Sequence, residues 1–258
     1  MTNQDDLRAL FASLRGEERR LRRPPPDGTG GILMAEGARL VVHAQQRGHH
    51  LNALLVSTKY NGPMPEGDHG VLTLEPDDIQ RLTGFGAMRE MLGAFDRPPD
   101  AETGPVIAGA RSVLVLEGVA NPSNVGTIIR SAVALGMDAT LVGPASSDPY
   151  GRRALRTSMG TALDHPWAPD PDPIATCRAN GIVTLALTPD PTAQRLEDAL
   201  AQHLGARIAL VLGAEGPGLT DATMAAADAC VTIPMAPGID SLNVAAAAAI
   251  ACYLVASR

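Results

Sequence analysis

The chain is poor in aromatic residues and in cysteine, and it has no long apolar run. Aromatics make up 3% of its 258 residues, so broad stacking platforms for single-stranded nucleic acid are scarce. The three cysteines, Cys177, Cys230 and Cys252, are odd in number and show no C-x-x-C spacing. That argues against a disulfide framework or a zinc ribbon. No apolar stretch reaches the roughly 20 residues that a transmembrane helix needs; residues 244–256 are alanine-rich and too short. Residues 2–6, Thr-Asn-Gln-Asp-Asp, do not read as a secretory signal. A cytoplasmic compartment without membrane contact is the expectation. The net charge of -7 argues against a nonspecific DNA coat. It leaves RNA open, because local charge matters more than the sum.

What is present is a regular alternation. Leu7, Leu10, Phe11 and Leu14 recur at helical spacing. Arg19, Arg20, Arg22 and Arg23 follow, then Pro24-Pro25-Pro26. This segment reads either as a solvated helical arm or as a phosphate-contacting tail. Strands are expected at 32–35, 51–57 and 71–74, with helices at 38–47 and from Glu75-Pro76 onward. Together they suggest a small α/β layer structure. Gly104-Pro105 marks a linker. Beyond it, strands at 112–116, 139–142, 182–187, 208–212 and 230–233 alternate with helices at 125–135, 173–180, 220–227 and 242–256. Nearly continuous apolar strands between helices predict a parallel sheet covered on both faces. Such sheets bind ligands at the carboxyl ends of their strands.

Three polar loops follow predicted strands at that end. The first runs from Glu117 to Gly126 and leads to Arg130, the second is Gly213-Ala214-Glu215-Gly216-Pro217-Gly218, and the third runs from Ile233 to Asn243. The glycine loop alone could be a structural turn or a phosphate cradle. Neither the G-x-G-x-x-G nor the G-x-x-x-x-G-K-[ST] fingerprint occurs. Zinc-protease, nucleophile-elbow and kinase signatures are missing too, and the six histidines show no metal-ligand spacing. No metal site is expected.

In order and spacing the three loops resemble the SpoU, or TrmH-type, branch of the SPOUT methyltransferases. N-x-G-x-I-x-R stands as Asn124-Val125-Gly126-Thr127-Ile128-Ile129-Arg130. G-x-E-x-x-G-L spans 213–219. I-P-M and S-L-N-V stand at Ile233-Pro234-Met235 and Ser241-Leu242-Asn243-Val244. Ala245 departs from the serine of many members. Residues 84–95 do not look like the usual last strand of a small front domain.

The resemblance implies an α/β protein with a basic arm at 1–29, an L30e-like RNA-binding domain at 30–100 and a linker at 101–111. It places a parallel-sheet methyltransferase domain with a C-terminal trefoil knot at 112–258. It implies transfer of a methyl group from S-adenosylmethionine to a ribose 2'-hydroxyl of RNA by a homodimer. The front domain favours ribosomal RNA, 23S above all, over tRNA. The alternatives are a tRNA 2'-O-methyltransferase and an RNA-binding assembly factor without turnover. Arg130, Asn124 and Asn243 would be catalytic. Gly213, Ile233, Leu242, Met235 and Thr188 would hold the cofactor, Glu215 and Ser241 would fix the loops, and the arm arginines would touch RNA. Arginine is a poor proton acceptor, so a phosphate grip and alkoxide stabilisation suit Arg130 better than a base.

Overall fold

The computed structural model describes residues 3–12, 14, 31–86, 88 and 90–257. It divides into two compact units, one of residues up to Pro99 with Tyr150–Leu163, the other of Asp100–Pro149 with Asp164–Arg258.

In the first unit, α1 (Gln4–Phe11) is followed by β1 (Ile32–Glu36), α2 (Ala38–Gln46), β2 (Leu51–Ser57), β3 (Gly70–Leu74), α3 (Pro76–Thr83) and β4 (Met91–Asp96). The sheet order is β1-β4-β2-β3. β4 runs antiparallel to both of its neighbours, and β2 and β3 are parallel. Two expectations are corrected. Residues 91–96, which the sequence did not mark as a strand, form a central one. Gly93 makes this possible: a Cβ there would stand 2.7 Å from the Phe95 ring and 3.1 Å from Val41 of α2. Residues 4–12 and Leu14 are not a solvated arm either. Leu7, Phe11 and Leu14 are buried in the same apolar cluster as Met34, Leu55 and Leu92. Burying a leucine or phenylalanine side chain is worth about 1.5–3 kcal/mol, enough to hold a helix of eight residues down.

The second unit opens with α4 (Thr103–Ile107), where a linker was expected. There follow β5 (Ser112–Leu116), α5 (Pro122–Ala134) and β6 (Ala139–Val142). The chain then forms α6 (Arg152–Thr157), which belongs to the first unit. It resumes with β7 (Trp167–Pro169), α7 (Pro173–Ala179), β8 (Val183–Leu187), β9 (Gln194–Arg195), α8 (Leu196–Gln202), β10 (Ile208–Leu212), α9 (Asp221–Ala226), β11 (Ala229–Thr232) and α10 (Val244–Ala256). Seven parallel strands stand in the order β7-β6-β5-β10-β8-β11-β9. Every residue of β5, β6 and β10 is buried, as strands covered by helices on both faces require. This is the parallel α/β class that the sequence predicts. β7, β9, α6 and α8 are additional to the elements that the sequence predicts.

Two carboxylates tie strands together at their amino ends. Asp138 accepts from the Arg111 and Ser112 amides and from Ser112 Oγ, all at 2.9 Å. Asp228 accepts from the Thr184 amide at 2.7 Å and from its hydroxyl at 2.8 Å. Burial raises both carboxyl pKa values, but the hydrogen bonds and the neighbouring cations, Arg111 beside Asp138 and Arg178 and His203 beside Asp228, together hold both below the ordinary range. Among the described residues no helix is long and apolar enough to cross a membrane.

Candidate active site

β10, β8 and β11 are adjacent and parallel, so Leu212, Leu187 and Thr232 end at one edge of the sheet. The loops after them, with the start of α10, enclose a cavity of about 310 Å³. The five residues expected to hold a cofactor, Gly213, Ile233, Leu242, Met235 and Thr188, all line it. So do Glu215, Ser241 and Asn243. Leu187, Pro189, Val244 and Ala247 complete an apolar wall. Pro189 and Ala247 carried no motif signal. Among the described residues Glu215 is the single ionisable side chain in the lining.

The local backbone explains the glycines. A Cβ on Gly213 would lie 2.4 Å from Gly218 C and from the Leu219 nitrogen, because the loop folds back on itself. Ala214 and Gly218 exchange backbone hydrogen bonds of 3.2 and 3.0 Å. Gly216 and Gly218 have φ of 85° and 74°, a region that side-chain-bearing residues enter at a cost.

Asn124 lies buried on α5. The helix starts with Asn121 as its cap, accepting from the Ser123 amide at 3.0 Å, and with Pro122 in the first turn. Asn124 Nδ2 donates to Glu215 Oε1. Asn243 Nδ2 donates to the same oxygen at 3.0 Å. Asn243 Oδ1 also caps α10, accepting from the Ala245 and Ala246 amides at 2.9 and 3.3 Å. The three loops are thereby joined through one carboxylate. Asn243 is occupied at both ends of its amide. Glu117, to which the sequence assigned no role, accepts from the Thr220 amide at 3.2 Å and ties the first loop to the end of the second. An acidic residue directly after a strand was the signal available for it.

Arg130 is exposed on α5, six residues beyond Asn124, or about 9 Å along the helix axis. It has no hydrogen-bond or ion-pair partner among the described residues, so its guanidinium is available to a ligand. Arg19, Arg20, Arg22 and Arg23 lie outside the described residues. Burial pushes the Cys177 and Cys252 thiols up to about 12, which removes them as nucleophiles at neutral pH.

Fold and pocket define an α/β protein with an apolar-walled cavity at the carboxyl edge of a parallel sheet. The chain belongs to the SpoU rRNA methylase family, whose model matches residues 111–253. It is 46% identical over 180 residues to an uncharacterized tRNA/rRNA methyltransferase of Mycobacterium tuberculosis, a match covering 69% of this chain and 62% of that protein. The chain thus spans less than two thirds of that relative's length. It is 32% identical over 191 residues to the 23S rRNA (guanosine(2553)-2'-O)-methyltransferase RlmP of Bacillus subtilis, covering 69% of this chain and 75% of the relative. The fold is similar to that of the SpoU methyltransferase AviRb from Streptomyces viridochromogenes, solved in complex with the cofactor AdoMet. The TM-score is 0.76 and the identity 22%, with 98% of this chain and 96% of that one covered.

Proposed function

We propose that this protein transfers the methyl group of S-adenosylmethionine to a ribose 2'-hydroxyl of structured RNA, with 23S ribosomal RNA as its substrate. The observation that carries the reading is the cavity wall. Among the described residues it contains no lysine or arginine to neutralise a phosphate, and Glu215 is its one charge. The wall thus carries no cation among them to offset a triphosphate, and the chain has no G-x-G-x-x-G turn to receive a dinucleotide pyrophosphate. The wall suits an uncharged adenine and a cationic sulfonium. The family and the RNA substrates named for its relatives point the same way.

The residues present fit that cofactor. Ile233, Met235 and Leu242 supply an apolar slot for a planar ring, and the backbone of the Gly213 loop approaches closely. When bound, the cofactor supplies an electrophilic methyl group. Methyl transfer needs the hydroxyl oxygen in line behind the methyl carbon. Arg130, without a partner among the described residues, grips a phosphate beside the ribose and stabilises the developing alkoxide. The hydroxyl proton passes to that phosphate or to water. Asn124 and Asn243 hold Glu215, and through it the walls of the pocket. The exposed face of α10 carries Ile250 and Tyr253, 40% and 60% exposed. A second copy of the chain covering this face would form the expected homodimer, with the C-terminal helices at the interface. The front unit would bind the RNA.

The test is transfer of labelled methyl groups to total RNA from a deletion strain, followed by nuclease mapping. One 2'-O-methylated nucleotide in 23S rRNA is expected. Labelling of tRNA alone would move the substrate, and no labelled RNA at all would remove the activity.

A further inference from the structure

Tyr150–Leu163 lies inside the stretch that the sequence assigns to the catalytic domain, yet it packs into the first unit. Its helix α6 rests on β1. Glu36, the last residue of β1, accepts from Arg152 Nη1 and, at 3.0 Å, from Arg156 Nη1. The Arg152 guanidinium also lies 3.6 Å from the centroid of the Phe85 ring, and its side chain is 11% exposed. Arg152 is therefore the anchor of the segment.

The arginines around that anchor face solvent. Arg156 is 63% exposed and commits Nη1 alone to Glu36. Arg153 is exposed and has no partner among the described residues. Arg39, three residues after Glu36 and in the first turn of α2, is also exposed and without a partner among them. A cation in a first helical turn opposes the helix dipole, so helix stability does not explain Arg39. Among the described residues Glu36 is the carboxylate that this group engages, and Glu90 is engaged at 2.9 Å with the amide of Ala38, at the start of α2. Two guanidinium groups thus share Glu36, and Arg39 and Arg153 add unpartnered charge nearby in sequence, on a chain whose net charge is -7.

We infer that Arg39, Arg153 and Arg156 form a second RNA-binding surface, separate from Arg130, which grips the phosphodiester backbone. The inference rests on the RNA-methyltransferase reading above. Arginine's planar fork matches phosphate oxygens two at a time. Glu36 keeps the patch arranged before RNA arrives, which lowers the ordering cost of binding. Arg152 holds α6 in place while its neighbours reach outward.

The experiment uses the full chain, the double variant Arg39→Ala/Arg153→Ala and deproteinised bacterial 23S rRNA as probe. Neither side chain has a partner to lose among the described residues, so melting temperature and S-adenosylmethionine affinity should stay at wild-type values. RNA affinity at about 0.15 M salt should fall roughly tenfold, and the slope of log K against log salt should become shallower by about 1–2. If the wild type methylates RNA and the double variant binds it with unchanged affinity and slope, the patch is wrong and the activity stands. If the wild type neither binds nor methylates RNA, both fall. Tighter binding of poly-glutamate than of RNA, lost in the variant, would assign the patch to an acidic protein and overturn the inference.

Discussion

Asn124 and Asn243, 119 residues apart in sequence, both donate a side-chain amide hydrogen to Oε1 of Glu215. The first loop, the glycine loop and the cap of the last helix are coupled by that one oxygen. Glu215→Ala should therefore loosen all three, weakening S-adenosylmethionine binding about tenfold, on the scale of a lost charge-assisted hydrogen bond. Glu215→Gln keeps an acceptor at the same place but removes the charge that would face the sulfonium, so it should lose part of the affinity, less than the alanine variant. Calorimetric titration of both variants decides the point. Equal losses would mean that the charge, not the amide bridge, matters.

Gly213 and Gly216 separate two reasons for a glycine. Gly213→Ala places a methyl 2.4 Å from backbone atoms, so the loop must open. Cofactor binding should be lost, and the fold should lose a few kcal/mol. Gly216→Ala meets nothing within 4 Å and pays for its φ of 85° alone, about 1–2 kcal/mol. Denaturant unfolding and cofactor titration of the pair test this. A Gly213→Ala protein that binds cofactor normally would show that the loop can rearrange at little cost.

The motif loops were legible in the sequence because a parallel sheet leaves few places for Asn, Glu and Gly clusters other than strand ends. Leu187, Leu212 and Thr232 then bring those ends together without further information. The first unit was harder to read. Met91–Asp96 is apolar on both faces and interrupted by Gly93, so it shows neither alternation nor a turn signal. The placement of α6 depends on Arg152 reaching Glu36 across 116 positions, a pairing that no local pattern reveals. Glu117 lacked a role for the same reason, as its partner Thr220 is 103 residues away.

His165 gives the fold a pH dependence. It is buried beside Thr140, with Nε2 and Oγ1 2.8 Å apart, and burial lowers its pKa from 6.5 to about 4. The folded chain therefore keeps this imidazole neutral while the unfolded chain binds a proton below pH 6.5. Stability is full above that value and declines as pH falls towards 4, by up to about 3 kcal/mol. His165→Gln removes the titration. The stability difference between pH 7 and pH 5, measured by denaturant unfolding, should be smaller in the variant than in the wild type. Identical pH dependence would place His165 in contact with water.

Arg130 yields the sharpest prediction about the chemistry. It stands on α5 outside the cofactor cavity, and its guanidinium has no partner among the described residues. Arg130→Ala should lower methyl transfer roughly 10²–10³-fold, the typical loss for one preorganised donor. S-adenosylmethionine affinity should stay near wild type. Arg130→Lys should also be poor, because an ammonium cannot reproduce the planar fork. Were Arg130 the proton acceptor, lysine would regain activity as pH approaches its own pKa and part of it becomes neutral. A phosphate grip predicts no such rise, since a neutral amine holds phosphate less well than a charged one. The rate of the lysine variant is therefore to be measured against pH at saturating RNA and cofactor. Recovery near pH 10 would make Arg130 a base, and undiminished transfer by the alanine variant would take it out of the mechanism.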